Sequence, residues 1–158
     1  MATAKQRLSA ILISAAILIV GAFTASLVRS GETNENTNAV KGLEVTVEGV
    51  RNGNGNVIII VMNDADAFNA SEYANAAGYH EIPASPGNMT TTFPRLTSGR
   101  YAVVAFHDEN GNRDFDMKHN LPAEGYAISG AKDASDTPLF DRAASDKSSR
   151  KVEMYYLD

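Results

Sequence analysis

The residue types best suited to chemistry lie in one acidic stretch, HDENGNRDFDMKHNLPAEGYAIS, which covers residues 107–129. When Asp108 is counted as position one, oxygen-bearing side chains recur at positions three, five and nine, and a backbone carbonyl is available at position seven. This is the ligand spacing of a calcium-binding loop, and calcium takes about six to eight oxygen ligands. The candidate calcium ligands are Asp108, Asn110, Asn112, Asp114, Asp116 and Glu124.

Two positions of the acidic stretch depart from the calcium pattern. Arg113 occupies position six, where glycine is usual, and His119 occupies position twelve, where a bidentate glutamate is usual. A residue other than glycine in left-handed geometry costs roughly 1–2 kcal/mol, and the guanidinium of Arg113 would lie near the cation. Glu124 is the nearest donor that could close the site. The alternative is a long turn without metal, in which Asn and Asp side chains satisfy backbone groups. The sequence leaves both interpretations open.

A second combination of residues has the types of a hydrolytic triad but not its context. These residues are His107, Asp108 and Ser129, and no glycine-flanked nucleophile elbow surrounds the serine. The three histidines of the chain also lack the close pairing of a zinc site. We therefore expect no enzymatic activity.

The elements around the acidic stretch have the patterns of short strands. LEVTVEGV (43–50) alternates apolar and polar residues, as a half-buried strand does, and VIIIVM (57–62) is a continuous apolar run. The Asn-Gly pairs of RNGNGN between them favour a hairpin turn, so we expect a central strand at 57–62, paired antiparallel with the first. YAVVAF (101–106) predicts a second buried strand, directly before the acidic stretch.

Tyr101 and His107 have predictable places on that second strand. Tyr101 follows Gly99 in an L-x-x-G-x-Y pattern, in which the tyrosine can hydrogen-bond back to nearby backbone, as in the tyrosine corner of β-sandwiches. If the alternation continues, His107 shares a face with Tyr101, Val103 and Ala105. We expect His107 to cap the edge of the core or to orient the loop by a hydrogen bond to an acid.

The remaining patterns predict one short helix and several more strands. In FNASEYANAAG, Asn69 and Glu72 have the spacing of a capping box, which predicts a helix near residues 70–77. Later alternating runs bring the number of strands to about seven, so we expect an all-β fold, a single Greek-key β-sandwich. The aromatic residues near the chain end are expected in its core, and these are Tyr126, Phe140, Tyr155 and Tyr156.

The order of these motifs resembles a family of secreted bacterial proteins, the domain of unknown function 2141. The resemblance is carried by LEVTVEGVRNGNGNVIIIVMN, FPRLTSGRYAVVAFHDENGN, LPAEGYAIS and PLFDRAA, and it covers about residues 43–157. It implies a small β-sandwich similar to transthyretin-like or carboxypeptidase-regulatory-like modules, with no assigned activity. The family pattern usually has glycine directly after Asn112, so Arg113 departs from it. The matching residues are His107, Asp108, Asn110, Gly111, Asn112, Asp116, Glu124, Gly125, Tyr126 and Ser129.

The N-terminus has the features of a targeting segment. Lys5 and Arg7 precede an uncharged apolar run from Leu8 to Val28, which is long enough to span a membrane. We expect residues 1–30 to be a cleaved signal peptide or an apolar helix that anchors the chain in the cytoplasmic membrane. Residues 31–42 are expected to be a flexible linker, and residues 43–158 the sandwich domain. Because the cations hold the N-terminus in the cytoplasm, the domain is expected in the periplasm or outside the cell.

Composition excludes several function classes. The chain has no cysteine, which excludes disulfides, thiolate zinc sites and cysteine nucleophiles. After the first 30 residues, 11 Lys and Arg face 19 Asp and Glu, which disfavours nucleic acid as a partner. We expect an exported, non-catalytic module with a binding or structural role at the cell envelope, with calcium as its candidate cofactor and a protein or carbohydrate as its partner. Two alternatives are an accessory module that binds a small molecule or carbohydrate, and a hydrolase of unrecognised type.

Overall fold

The computed structural model describes residues 42–157, and these form a β-sandwich of two main sheets. Its strands are β1 (Leu43–Val50), β2 (Asn56–Met62), β3 (Gly78–Pro83), β4 (Gly87–Phe93), β5 (Ala102–Asp108), β6 (Met117–Lys118), β7 (Leu121–Pro122), β8 (Gly125–Ile128) and β9 (Ser149–Glu153). The first sheet has the order β4-β1-β9, the second has the order β3-β2-β5-β8, and β6 and β7 form a separate hairpin. The predicted all-β class is confirmed, and seven strands make up the two main sheets.

The alternating pattern of β1 explains the first sheet. Its apolar side chains are buried between the two sheets, while Glu44, Thr46 and Glu48 on the opposite face are partly exposed. The core between the sheets, the first core, takes residues from both of them, including Leu43, Val45, Val47, Val57, Ile59, Val61, Phe93, Val103, Ala105 and Val152. The first sheet, which is mixed because β1 pairs parallel with β9, therefore has one buried face and one polar face.

The continuous apolar run of β2 explains the second sheet, which is buried on both faces. Ile59 contributes to the first core, whereas Ile58 contributes to a second core on the opposite face of the same sheet. The second core consists mainly of Ile58, Ile60, Met62, Phe68, Val104, Phe106, Phe115, Tyr126, Phe140 and Ala143. β2 lies between β3 and β5, so the predicted central strand is confirmed. The predicted core placement of the aromatic residues also holds for Tyr126 and Phe140, which are buried.

The predicted hairpin between the first two strands is wrong. β1 pairs antiparallel with β4 and parallel with β9, whereas β2 pairs antiparallel with β3 and β5. The Asn-Gly segment between them therefore crosses from one sheet to the other. Each of these strands has an apolar face, and stacking them across the core buries those faces against each other. A turn motif alone does not distinguish pairing within a sheet from this crossover.

The predicted helix near 70–77 is also misplaced. An α-helix, α1 (Ala65–Ala70), lies earlier, and Asp64 caps it by accepting the Ala67 N–H at 2.8 Å. Residues 73–75 form one 3₁₀ turn, and Asn69 accepts the Phe140 N–H at 2.9 Å instead of capping a helix. Phe68 lies within this helix and is buried in the second core, which fixes the helix at Ala65–Ala70. A second short helix, α2 (Phe140–Ala143), packs on the same core.

The strand order also places the acidic stretch. β5 ends at Asp108, which faces Asn56 of β2, so the stretch follows the end of a central strand and lies beside residues 51–55. The Tyr101 hydroxyl at the start of β5 donates to the Ser98 carbonyl at 2.8 Å, which confirms the predicted tyrosine corner. The predicted N-terminal helix and most of the linker lie outside the described residues. Within residues 42–157, no helix is long and apolar enough to cross a membrane.

Candidate functional site

His107 anchors the base of the acidic loop, by which we mean residues 108–124. Its ring is fully buried, on the face of β5 that it shares with the first core, as predicted. Its Nε2 lies 2.8 Å from the Asn54 carbonyl and its Nδ1 lies 2.9 Å from the Tyr156 hydroxyl. Because a carbonyl only accepts, Nε2 carries a proton and donates to Asn54, and the Tyr156 hydroxyl is the hydrogen-bond partner of Nδ1. An acid was one of the expected partners of His107, but its partners are a carbonyl and a phenol instead. The Glu109 carboxylate oxygen lies 3.9 Å from Nδ1.

The carboxylate of Asp108 organises the backbone of the loop. It is fully buried at the end of β5. Its Oδ1 accepts the N–H groups of Gly111 at 2.8 Å and Asn112 at 3.1 Å, and its Oδ2 accepts that of Arg113 at 2.9 Å. The chain is therefore wound around this one side chain.

The side chains at the third, fifth and ninth positions converge on one point. The amide nitrogens of Asn110 and Asn112 both donate to Oδ2 of Asp116, at 2.5 and 3.1 Å. The Asn110 amide oxygen accepts the Asn112 N–H at 2.9 Å, and the Asn112 amide oxygen accepts the Asp114 N–H at 2.8 Å. The structure thus brings together the side chains at three of the predicted positions.

Glu124 closes the loop from the far side. It is buried, and its two oxygens accept the N–H groups of Glu109 at 3.2 Å and Asp116 at 3.3 Å. The pKa of the Glu124 carboxyl is raised from 4.5 to about 7, first by burial and then by the negative charges of Asp108 and Asp116. His119 is not part of this arrangement, because it lies in the turn between β6 and β7 with a φ of 53°.

Arg113 takes the backbone geometry expected at position six, with its side chain turned aside. Its φ is 64°, in the left-handed region. Its Nε lies 3.0 and 3.3 Å from the two carboxylate oxygens of Glu81 on β3, and Glu81 also accepts from Asn56 at 3.1 Å. The ion pair with Glu81 directs the guanidinium toward β3, and its position relative to a bound cation stays a prediction.

The oxygens of the loop fit a hard cation better than a transition metal. Among residues 42–157, no three His, Cys, Asp or Glu side chains form a recognisable metal-binding group. Any ion here would depend on amide and backbone oxygens as well as on carboxylates. That chemistry is typical of calcium or magnesium.

Comparison with protein families adds a match over most of the described residues. A family profile described as an uncharacterized protein conserved in bacteria, the domain of unknown function 2141 (DUF2141), matches residues 45–154. The chain belongs to the DUF2141 family. No curated protein and no solved structure matches the chain. The family resemblance of the sequence is thereby confirmed, and the match includes every residue of the acidic loop.

In this DUF2141 chain, a second group of residues that the sequence did not single out supports the acidic loop. Arg51 pairs with both carboxylate oxygens of Glu109, at 2.9 and 2.6 Å, and Asn52 donates to the same carboxylate at 2.5 Å. The Arg51 hydrogen bond is the main cause that lowers the pKa of Glu109 to about 2. The guanidinium also lies 4.4 Å from the centre of the Tyr156 ring. No spacing rule links these residues, because they come from three distant segments.

Two glycines allow these segments to approach the acidic loop closely. Their motifs, NGNG and PAEGYAIS, were the sequence features that could have indicated these contacts. A Cβ on Gly55 would overlap the Asp108 carbonyl, and a Cβ on Gly125 would overlap the Tyr156 ring. Because glycine has no Cβ, it allows the backbone to approach neighbouring groups closely. In this DUF2141 chain, the glycine of PAEGYAIS thus has a packing role beside Glu124.

The residues of the imagined hydrolytic triad have other partners in this DUF2141 chain. Ser129 is buried, and its hydroxyl accepts the Val103 N–H and donates to the Ala143 carbonyl, both at 2.8 Å. His107 and Asp108 are bonded as described above. No hydrogen bond joins any two of these three described side chains.

Proposed function

We propose that this chain is an exported, non-catalytic β-sandwich module that acts as a binding or structural component of the cell envelope, and that calcium stabilises its acidic loop. The apolar segment from Leu8 to Val28, preceded by cations, supports export. The engagement of Ser129, His107 and Asp108 in structural hydrogen bonds supports a non-catalytic role.

The observation that carries the calcium proposal is that three carboxylates of one loop, Asp108, Asp116 and Glu124, each accept hydrogen bonds from N–H groups within that loop. In the described residues they do not form a ready-made metal-binding group. Two of the three are buried, and their mutual repulsion contributes to the raised pKa of Glu124. The nearest guanidinium of the loop, that of Arg113, is paired with Glu81 instead. A divalent cation among the three carboxylates would offset their repulsion, because an opposite charge within about 4–6 Å favours the ionised form.

The amide side chains indicate that such a site is weak. Asn110 and Asn112 present their nitrogens to Asp116, whereas a cation requires their oxygens. Both amides must reorient before they can serve as ligands, and two hydrogen bonds to the backbone are lost in the process. We therefore expect an affinity in the range of extracellular calcium modules, about 10⁻⁴–10⁻³ M. At ten times the dissociation constant, such an ion stabilises the fold by about 1.4 kcal/mol.

Calcium titration of the full chain in detergent, followed by calorimetry and by thermal unfolding, tests the proposal. We expect saturable heat at millimolar calcium and a matching rise in the unfolding temperature. Asp116→Asn keeps the shape of the side chain but removes its charge, and we expect it to abolish both signals. Asp146→Asn is the matched control, because Asp146 is exposed and lies outside the loop.

Two results would contradict the calcium proposal. One is the absence of heat at millimolar calcium for a chain shown to be folded by circular dichroism. The other is equal binding by the Asp116→Asn and Asp146→Asn variants, since that would place the ion elsewhere. In either case the long turn without metal is the correct interpretation of the loop.

A further inference from the structure

The chain contains three Asn-Gly dipeptides, and their asparagine side chains differ in their hydrogen bonds. They are Asn52-Gly53, Asn54-Gly55 and Asn110-Gly111, and all three border the acidic loop or belong to it. An asparagine followed by glycine is prone to deamidation, because glycine has no side chain to hinder attack by its own backbone nitrogen on the asparagine side chain. In an unfolded chain, the three dipeptides should therefore behave alike.

The folded structure holds the amides of Asn52 and Asn110 at both ends. The Asn52 nitrogen donates to Glu109 at 2.5 Å, and its oxygen accepts the Asn54 N–H at 2.8 Å. The Asn110 nitrogen donates to Asp116 at 2.5 Å, and its oxygen accepts the Asn112 N–H at 2.9 Å. Attack on either amide carbon requires the side chain to rotate, so both hydrogen bonds must break first.

Asn54 lacks this restraint. It is exposed, and within residues 42–157 its side-chain amide makes no hydrogen bond. Its backbone carbonyl, in contrast, is fixed by the donor Nε2 of His107 at 2.8 Å. That hydrogen bond withdraws electron density from the Asn54-Gly55 peptide group, which makes the Gly55 N–H more acidic and its nitrogen easier to convert to the attacking anion.

We propose that Asn54 is a site of spontaneous deamidation in the folded protein, with water as the co-reactant. The Gly55 nitrogen loses its proton and forms a bond to Cγ of Asn54, and the Cγ–Nδ2 bond breaks as the amide leaves with a proton as ammonia. Water then opens the resulting succinimide at one of its two carbonyls. The product is aspartate when the new ring bond to nitrogen is hydrolysed, and isoaspartate when the original peptide carbonyl is attacked.

The modification alters the contact between residues 51–55 and the acidic loop. Gly55 lies so close to Asp108 that no Cβ fits between them. Isoaspartate adds a methylene to the backbone at this contact, and both products add a carboxylate beside a loop that already carries several. We expect the modified chain to hold the acidic loop less tightly than the unmodified chain.

Incubation of the full chain at mildly alkaline pH, followed by tryptic digestion and mass spectrometry, tests the proposal. Trypsin separates Asn110, in the peptide 101–113, from Asn52 and Asn54, and fragmentation distinguishes the latter two. We expect Asn54 to lose its amide about tenfold faster than either of the others, which corresponds to about 1.4 kcal/mol in the barrier. The same incubation in concentrated urea should bring the three rates together.

Two variants sharpen the comparison. Asn54→Gln should remove the fast phase, because a glutamine would have to form a larger ring. Glu109→Ala removes the acceptor of the Asn52 amide, so in this variant Asn52 should deamidate several times faster than in the unaltered chain, with circular dichroism as the check on folding. Deamidation of Asn52 or Asn110 as fast as Asn54 in the folded protein would overturn the proposal. So would an unchanged order of rates in urea, because the order would then come from the sequence alone.

Discussion

The raised pKa of Glu124 makes the stability of the protein depend on pH. Burial and two neighbouring carboxylates raise its pKa from 4.5 to about 7, although two backbone N–H groups oppose the shift. A carboxyl with a raised pKa in the folded state binds its proton more tightly there than in the unfolded chain. The folded state is thus favoured while Glu124 is protonated in it, and this advantage declines as the pH rises from about 4.5 to about 7.

The first prediction concerns this pH dependence in the absence of calcium. The free energy of unfolding should fall between pH 4.5 and pH 7 by an amount on the order of 3 kcal/mol. In Glu124→Gln the decline should be much smaller, because the group that titrates is gone. Urea unfolding at both pH values measures it, with Glu72→Gln as a control at an exposed carboxylate. Equal pH dependence in all three proteins would show that titration of Glu124 does not cause the decline in stability.

Among the elements, the acidic loop depends on a short strand and a C-terminal segment that approach it closely. β8 begins at Gly125, directly after Glu124, and the Tyr156 ring packs on that glycine. The Tyr156 hydroxyl then contacts Nδ1 of His107 at 2.9 Å and the Arg51 N–H at 3.0 Å. A single position without a side chain therefore allows three segments to meet behind the loop.

The second prediction concerns this contact. Gly125→Ala should destabilise the protein by about 1–3 kcal/mol, because the added methyl displaces the Tyr156 ring from a packed position. Gly53→Ala is the matched control, since the nearest atom to a Cβ there is at 3.5 Å and the backbone φ is not positive. Thermal unfolding of both variants measures the difference. If both substitutions lower stability equally, the packing of the Tyr156 ring does not require glycine at position 125.

The elements also show where sequence patterns stopped being sufficient. The strands at 43–50, 57–62 and 101–106 were predicted correctly, because their alternation or continuous apolar run follows directly from the faces they bury. The helix was misplaced because Asp64 and Asn69 are both suitable caps, and packing of Phe68 selected the first. The predicted pairing of β1 with β2 was wrong, because the alternating pattern of β1 is the same whichever strand pairs with it.

For the whole molecule, the two sheets are not equivalent. The second sheet is covered on one face by the first sheet and on the other by α1, α2 and Phe115 of the acidic loop. Phe115 contacts Phe106 and Tyr126 edge to face, with ring centres 5.7 and 6.0 Å apart. The acidic loop is thus part of a core as well as a candidate site.

The third prediction follows from this asymmetry. Ile58→Ala and Ile59→Ala should each cost about 2–5 kcal/mol, although their side chains point to opposite faces of β2, because both faces are buried. Thr46→Ala, on the outer face of β1, should cost no more than about 1 kcal/mol, because it removes only the cross-strand hydrogen bond to the Thr90 hydroxyl at 2.9 Å. Urea unfolding gives all three values. A small effect for Ile58→Ala would mean that the second core contributes little to stability.

The sequence predicted which residues make up the acidic loop but not which distant residues contact it. The spacing predicted that the side chains of Asn110, Asn112 and Asp116 lie together, and they do. Asp108 and Glu124 instead accept backbone N–H groups of the loop, and their role as metal ligands stays a prediction. The sequence did not predict the pairing of Arg113 with Glu81 or of Arg51 with Glu109. These partners are separated by 32 and 58 positions, and no local rule relates such positions.

By itself, the sequence determined the class of the fold, the strands with a clear apolar pattern, the tyrosine corner and the residues of the acidic loop. Each of these depends on periodicity, on turn chemistry or on the spacing of neighbouring residues, and all three are local properties. The sequence did not predict β3, whose residues are only partly buried. Only the tertiary structure decided which strands share a sheet, which residue caps the helix, and where the Arg113 guanidinium lies. The physical reason is that these outcomes depend on burial against distant segments, and several arrangements of the same local elements satisfy the same local patterns.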